Sequence, residues 1–168
     1  MNYAKIKHYC IANGPGIRTA LFVQGCPIHC VGCFNESTWD FNGGKPFNSN
    51  TYNEICNSLS EHTEHIAGLS ILGGEPLAVQ NGNRKAITDL CEAIKTKFPT
   101  KTIWLWTGYE WPAVKSLEIM NFLDVIVTGP FIESQKDYTL LYCGSRNQQV
   151  IDVKASLAAN SIILYKEN

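Results

Sequence analysis

The sequence predicts an α/β fold with a mostly parallel sheet. Three observations carry that prediction. Apolar, β-branched runs alternate with segments of helical period along most of the chain. The conspicuous motifs fall directly after those runs, where chemistry collects in parallel sheets. Hydrophobic residues make up 45% and charged residues 17% of 168 positions, which suits one well-filled domain over residues 1–168.

The elements follow in order. Residues 17–24 (IRTALFVQ) read as a strand, introduced by the turn signal Asn13-Gly14-Pro15-Gly16. A cysteine-rich loop comes next, and residues 40–49 are rich in Gly, Asn and Pro and read as loop. Ser49 or Asn50 caps a helix reaching about His62, with Tyr52, Ile55, Cys56 and Leu59 on one face. Residues 66–72 are a buried strand ended by Gly73-Gly74-Glu75-Pro76. Residues 83–97 form a helix that buries Ile87, Leu90, Cys91 and Ile94. A third strand, 102–106, ends at Thr107-Gly108, and 111–121 is a short helix with Pro112 in its first turn. Residues 124–128 are a fourth strand; 130–147 read mostly as loop, and 148–153 and 161–165 as late strands.

Charge narrows the function. A formal net charge of −1 gives no footing for electrostatic binding of nucleic acid or an anionic membrane. The first ten residues lack the apolar stretch of a signal peptide. No apolar run approaches the ~20 residues of a membrane span. The expectation is a soluble, cytoplasmic protein. Seven cysteines, an odd number with three inside eight residues, make a poor disulfide framework and point to metal or redox chemistry.

Those three, Cys26, Cys30 and Cys33, form C-x3-C-x2-C. Thiolates are soft anionic donors suited to iron–sulfur clusters. Three of them on four irons leave one iron open for a substrate, as an open position marks a catalytic zinc. A structural zinc site is the alternative; it needs a fourth ligand, and no second C-x2-C supplies one. Cys56 and Cys91 fall on apolar helix faces, as packing residues do. Cys10 and Cys143 are read as packing or surface residues, with a reactive Cys143 as the other possibility.

The motif C-x3-C-x2-C resembles the signature of the radical S-adenosylmethionine superfamily. Asn13-Gly14-Pro15-Gly16-Ile17-Arg18, Gln24-Gly25-Cys26, Cys33-Phe34-Asn35, Gly73-Gly74-Glu75-Pro76, Trp104-Leu105-Trp106-Thr107-Gly108-Tyr109 and Gly144-Ser145-Arg146-Asn147-Gln148 are similar to its glycyl-radical-enzyme activating branch. The match is best with activators of anaerobic ribonucleoside-triphosphate reductase, and it spans almost the whole chain. The resemblance implies a partial (β/α) barrel holding one [4Fe–4S] cluster on Cys26, Cys30 and Cys33. It implies reductive cleavage of S-adenosylmethionine to methionine and a 5′-deoxyadenosyl radical, which takes a hydrogen atom from a glycine of the reductase large subunit. A low-potential donor such as flavodoxin is implied too. Gly32, Cys33 and Phe34 would line the cofactor, Gly73, Gly74 and Glu75 would receive its amino group, and Thr107 would complete the pocket. The protein's part is orientation and exclusion of water.

Two departures stand out. Many superfamily members carry an aromatic residue before the third cysteine, where this chain has Gly32, and such activators often have Asp where it has Thr128. Trp104 and Trp106 are expected as core and pocket wall. Arg18 is read either as binding the partner or orienting the site, or as a solvated residue at a strand start. The rival functions are an activase of another glycyl-radical enzyme such as pyruvate formate-lyase, a radical tailoring enzyme, and a non-catalytic metal module.

Overall fold

The computed structural model describes residues 1–61 and 65–167. Seven strands form one sheet: β1 (Asn2–Cys10), β2 (Ile17–Val23), β3 (Lys45–Pro46), β4 (Ile66–Gly73), β5 (Thr102–Trp106), β6 (Val125–Thr128) and β7 (Gln149–Asp152). Their order is β3-β1-β2-β4-β5-β6-β7. The central four, β2, β4, β5 and β6, run parallel; β1, β3 and β7 are antiparallel to their neighbours. The sheet is therefore mixed, with the expected parallel centre and with antiparallel flanks that the sequence does not announce.

Four helices accompany it: α1 (Ser49–Ser60), α2 (Asn83–Lys97), α3 (Trp111–Val114) and α4 (Val153–Ala159). Asn48, not Ser49 or Asn50, caps α1: its side chain accepts from the backbone N–H groups of Asn50 and Thr51. Within the described residues α1 stops at Ser60; the expected end at His62 lies outside them. The expected helix over 111–121 is two pieces, because Leu117 is extended (ψ 143°) between α3 and a 3-10 turn at Glu118–Asn121. The expected strand 148–153 stops at Asp152, whose carboxylate caps α4 by accepting from Ala155 N–H at 2.9 Å. Of 161–165 only Leu164 bridges, to Ile151.

Strand side chains alternate between faces. Leu21, Val23, Leu69, Ile71, Ile103 and Leu105 pack under Ile55, Leu59, Ile87, Leu90 and Ile94 of α1 and α2 in one buried cluster. Cys56 and Cys91 belong to that cluster as expected. The opposite face carries Arg18, Ala20, Phe22, Ser70, Leu72, Trp104 and Trp106, and the site is built there.

Arg18 corrects the sequence reading, because it is neither solvated nor able to meet a partner: it is fully buried. Its guanidinium donates to Ser70 Oγ (2.7 Å), Thr102 Oγ1 (2.8 Å), the Leu69 carbonyl (2.9 Å) and the Thr102 carbonyl (3.0 Å), and lies 5.6 Å from the Trp104 ring. One side chain thus ties three adjacent parallel strands. Burial lowers its pKa to about 10, which leaves it charged at neutral pH.

Candidate functional site

The cysteine loop leaves the end of β2 and is fastened to its surroundings by backbone. Gly25 N–H donates to the Thr38 carbonyl (2.8 Å), Cys26 N–H to the Trp39 carbonyl (3.0 Å), and Cys33 N–H to the Cys30 carbonyl (3.2 Å). The loop after β4 locks onto its base: Gly74 N–H donates to the Val23 carbonyl (2.9 Å) and Glu75 N–H to the Gly25 carbonyl (2.8 Å). A Cβ at Gly74 would overlap the Gly25 carbonyl, so the two loops meet only because glycine stands there.

These loops open onto a cavity of about 490 Å³ at the carboxyl ends of the parallel strands. Cys26, Cys30, Cys33, Phe34, Gly73, Gly74, Glu75 and Thr107, all predicted from sequence, line it. Gly32 is not among its walls. It is exposed at the loop's turn in the left-handed conformation (φ +72°), with Glu133 against it. A bulky aromatic there would be strained whatever the space. Phe34 stands at the rim, 60% exposed, its ring 5.2 Å from that of Phe131.

Glu75 is fully buried, and its carboxylate is turned into the protein. It accepts from Leu77 N–H (2.9 Å), Thr107 Oγ1 (2.8 Å) and Gly108 N–H (2.8 Å), clamping the end of β4 to the end of β5. Thr107, nearly buried, acts through this clamp. Burial pushes the Glu75 carboxyl up to about 7, against the pull of its donors. Because the folded pKa is raised, its stabilising contribution is complete below the unfolded value near 4.5 and is lost as pH rises through about 7. Each pH unit between those two values is worth about 1.4 kcal/mol. Wild type should therefore lose about 3 kcal/mol relative to Glu75→Gln between roughly pH 4.5 and pH 8. Urea unfolding of both proteins across that range checks it; a flat difference sinks it.

The donor set fits a [4Fe–4S] cluster. Three free thiols on one loop, each half-buried, face a single cavity. Among the described residues no three His, Cys, Asp or Glu side chains are placed to hold one metal ion. A cubane spreads its cysteines over separate irons, so they need not converge on a point as zinc ligands do. Burial raises the Cys26 and Cys30 thiols above their ordinary value, and a bound metal centre would release those protons.

The other wall escapes a reading of the sequence. Residues 130–147, expected mostly as loop, fold back on themselves: Lys136 bridges to Ser145, Asp137 N–H donates to the Gly144 carbonyl (3.2 Å), and Arg146 pairs with Asp137 (2.9 Å). This hairpin lays Gly144 against Phe34 and Phe131. Gln148 pins its base, accepting from Gly144 N–H (2.8 Å) and donating to the Gly129 carbonyl (3.0 Å). Trp106 Nε1 donates to the Tyr142 carbonyl (2.8 Å). The Gly-Ser-Arg-Asn-Gln run is the one signal in the sequence that points to it. Cys143 joins the cavity, its thiol raised by burial to about 11, whereas Cys10 is buried beside Ala20 and Phe22. A second concavity, of about 460 Å³ beside α1, is lined by side chains already paired together, His8 with Ser58 (2.8 Å) and Glu54 (3.2 Å). Among the described residues no helix is long and apolar enough to cross a membrane.

Comparison with known proteins agrees with this geometry. The family model described as "4Fe-4S single cluster domain" matches residues 12–151. The anaerobic ribonucleoside-triphosphate reductase-activating protein of Enterobacteria phage T4 is 43% identical over 150 residues, covering 89% of this chain and 93% of that one. The protein of the same name from Escherichia coli is 39% identical over 152 residues, covering 89% and 97%. That from Haemophilus influenzae is 34% identical over 150 residues, covering 88% and 96%. With this identity sustained along almost its full length, the chain belongs to the family of anaerobic ribonucleoside-triphosphate reductase-activating proteins, built on a 4Fe–4S cluster domain.

Proposed function

We propose that this protein activates an anaerobic ribonucleoside-triphosphate reductase by generating its glycyl radical. Cys26, Cys30 and Cys33 hold the [4Fe–4S] cluster, and S-adenosylmethionine binds beside it in the same cavity. The observation that carries this reading is the joining of the cysteine loop to the Gly73-Gly74-Glu75 turn around one cavity. When bound, the cluster supplies the electron that splits S-adenosylmethionine into methionine and a 5′-deoxyadenosyl radical, which takes a hydrogen atom from a glycine of the reductase large subunit.

The chain's own residues bind, orient and exclude water. Gly73 and Gly74 bring bare backbone to the cavity wall, and Glu75 fixes that backbone through Thr107 and Gly108 rather than by reaching the ligand itself. Phe34, Phe131 and the hairpin at 135–146 wall one side of the cavity, which limits the access of water to a reactive intermediate. On this reading the four central strands are the wall of a partial (β/α) barrel in a single cytoplasmic domain, and the electron comes from a flavodoxin-like donor.

Electron paramagnetic resonance of anaerobically reconstituted, reduced protein tests it. A [4Fe–4S] signal that changes shape on adding S-adenosylmethionine, followed by a glycyl radical on added anaerobic reductase, is expected. A cluster signal indifferent to S-adenosylmethionine would leave a metal module without the proposed chemistry. A radical formed on pyruvate formate-lyase but not on the reductase would reassign the partner.

A further inference from the structure

The family model ends at Ile151, yet the chain beyond it is built into the site. This segment is tied to the fold at several points. Asn160 ends α4 in the left-handed conformation (φ 48°) and turns the chain back. Ile163 N–H donates to Ser156 Oγ (2.8 Å), Asp152 N–H to the Ile163 carbonyl (3.0 Å), and Tyr165 N–H to the Val150 carbonyl (2.9 Å). The returning segment thus runs along the outer edge of β7.

Its side chains back the residues that line the cavity, without lining it themselves. The Tyr165 ring meets Trp104 edge-on, with centroids 4.9 Å apart. Trp104 in turn packs on Tyr142 (5.0 Å) and Trp106 (5.8 Å), which both line the cavity. Tyr142 Oη donates to Glu167 Oε1 at 3.1 Å. Tyr142 needs such support: it is a bulky residue in the left-handed conformation (φ 65°), a strained state that persists only when its surroundings over-determine it. Three contacts hold it there, from Trp106, from Trp104 and from the terminal segment.

We propose that Tyr165 and Glu167 are positioning residues, which hold Tyr142 and Trp104 so that the 135–146 hairpin closes the S-adenosylmethionine cavity in this chain. The inference rests on the cofactor reading of that cavity. A segment that only shielded the sheet edge would leave the hairpin and the ligand unaffected when its side chains are trimmed.

The test uses full-length, cluster-loaded protein carrying Tyr165→Ala, Glu167→Ala or Tyr165→Phe. Trimming one aromatic contact should weaken S-adenosylmethionine binding about fivefold to tenfold, leave the cleavage rate at saturation within about twofold, and speed hydrogen exchange of amides 139–146 about tenfold. Tyr165→Phe, which keeps the ring on Trp104, should behave as wild type. Unchanged affinity in both alanine variants, with or without faster exchange, overturns the proposal, as does a Phe variant as impaired as the Ala one. A loaded wild type that ignores S-adenosylmethionine would instead sink the cofactor reading. The exchange comparison would then still decide whether the terminal segment holds the wall.

Discussion

On the proposed ligand set, Cys30→Ala should abolish cluster assembly and reductase activation together. Cys30 is the middle thiol of the three, and its loop is anchored by backbone bonds that do not involve its side chain. The variant therefore keeps its fold, with stability within about 0.5 kcal/mol of wild type, as for other changes outside the core. Two thiols remain, too few to retain a [4Fe–4S] cluster on the proposed ligand set. Iron per chain should fall to background, the reduced-cluster resonance should vanish, and no glycyl radical should form on the reductase. Cys56→Ala is the matched control, since Cys56 is buried among helix and strand side chains away from the cavity and should leave the cluster in place. A Cys30→Ala protein that still carries the cluster would remove Cys30 from the ligand set.

Arg18→Ala should cost about 3–5 kcal/mol of stability. The substitution deletes a fully buried side chain whose four hydrogen bonds cross from β2 to β4 and β5. Ser70 Oγ still donates to the Asn13 carbonyl (2.6 Å), but the Leu69 and Thr102 carbonyls lose a charged donor inside the protein. A void opens beneath Trp104 as well. Arg18→Lys should recover only part of the loss, because a single ammonium cannot span partners that the planar fork reaches at once. Urea unfolding measures both variants. A loss below about 1 kcal/mol for Arg18→Ala would mean that the three strands do not depend on this tie.

The parallel centre of the sheet is legible because its strands announce themselves. Residues 66–72 and 102–106 are short apolar runs cut off by glycine, and the helix over 83–97 repeats at the helical period. Strand β1 is hidden because it is flanking and half-wet: Lys5, His8 and Tyr9 are largely exposed, so no apolar alternation survives. Helix α4 is hidden because its first residue, Val153, continues the apolar run of β7, and only the cap at Asp152 divides them. In the site, the cysteines and the Gly73-Gly74 turn are readable as a spacing and a motif. The orientation of Glu75 is not, because sequence names a carboxylate without saying whether it faces ligand or protein. Arg18 is the same case in reverse: arginine is mostly exposed, and the neighbouring Ser70 and Thr102 hydroxyls, with the Leu69 and Thr102 carbonyls, make its burial tolerable.

All three proposed ligands sit on one excursion of chain that the core does not need. The sheet and its helices are joined by Leu, Ile and Val contacts on the other face, and the loop is fastened by peptide groups. Loss of a cluster held on this loop would then be separable from damage to the polypeptide. On the proposed ligand set, a molecule that has lost its cluster should keep its fold, and it should be rechargeable once iron, sulfide and a reductant that restores the thiols return. Activation capacity after exposure to oxygen would recover on the timescale of cluster assembly rather than of protein synthesis.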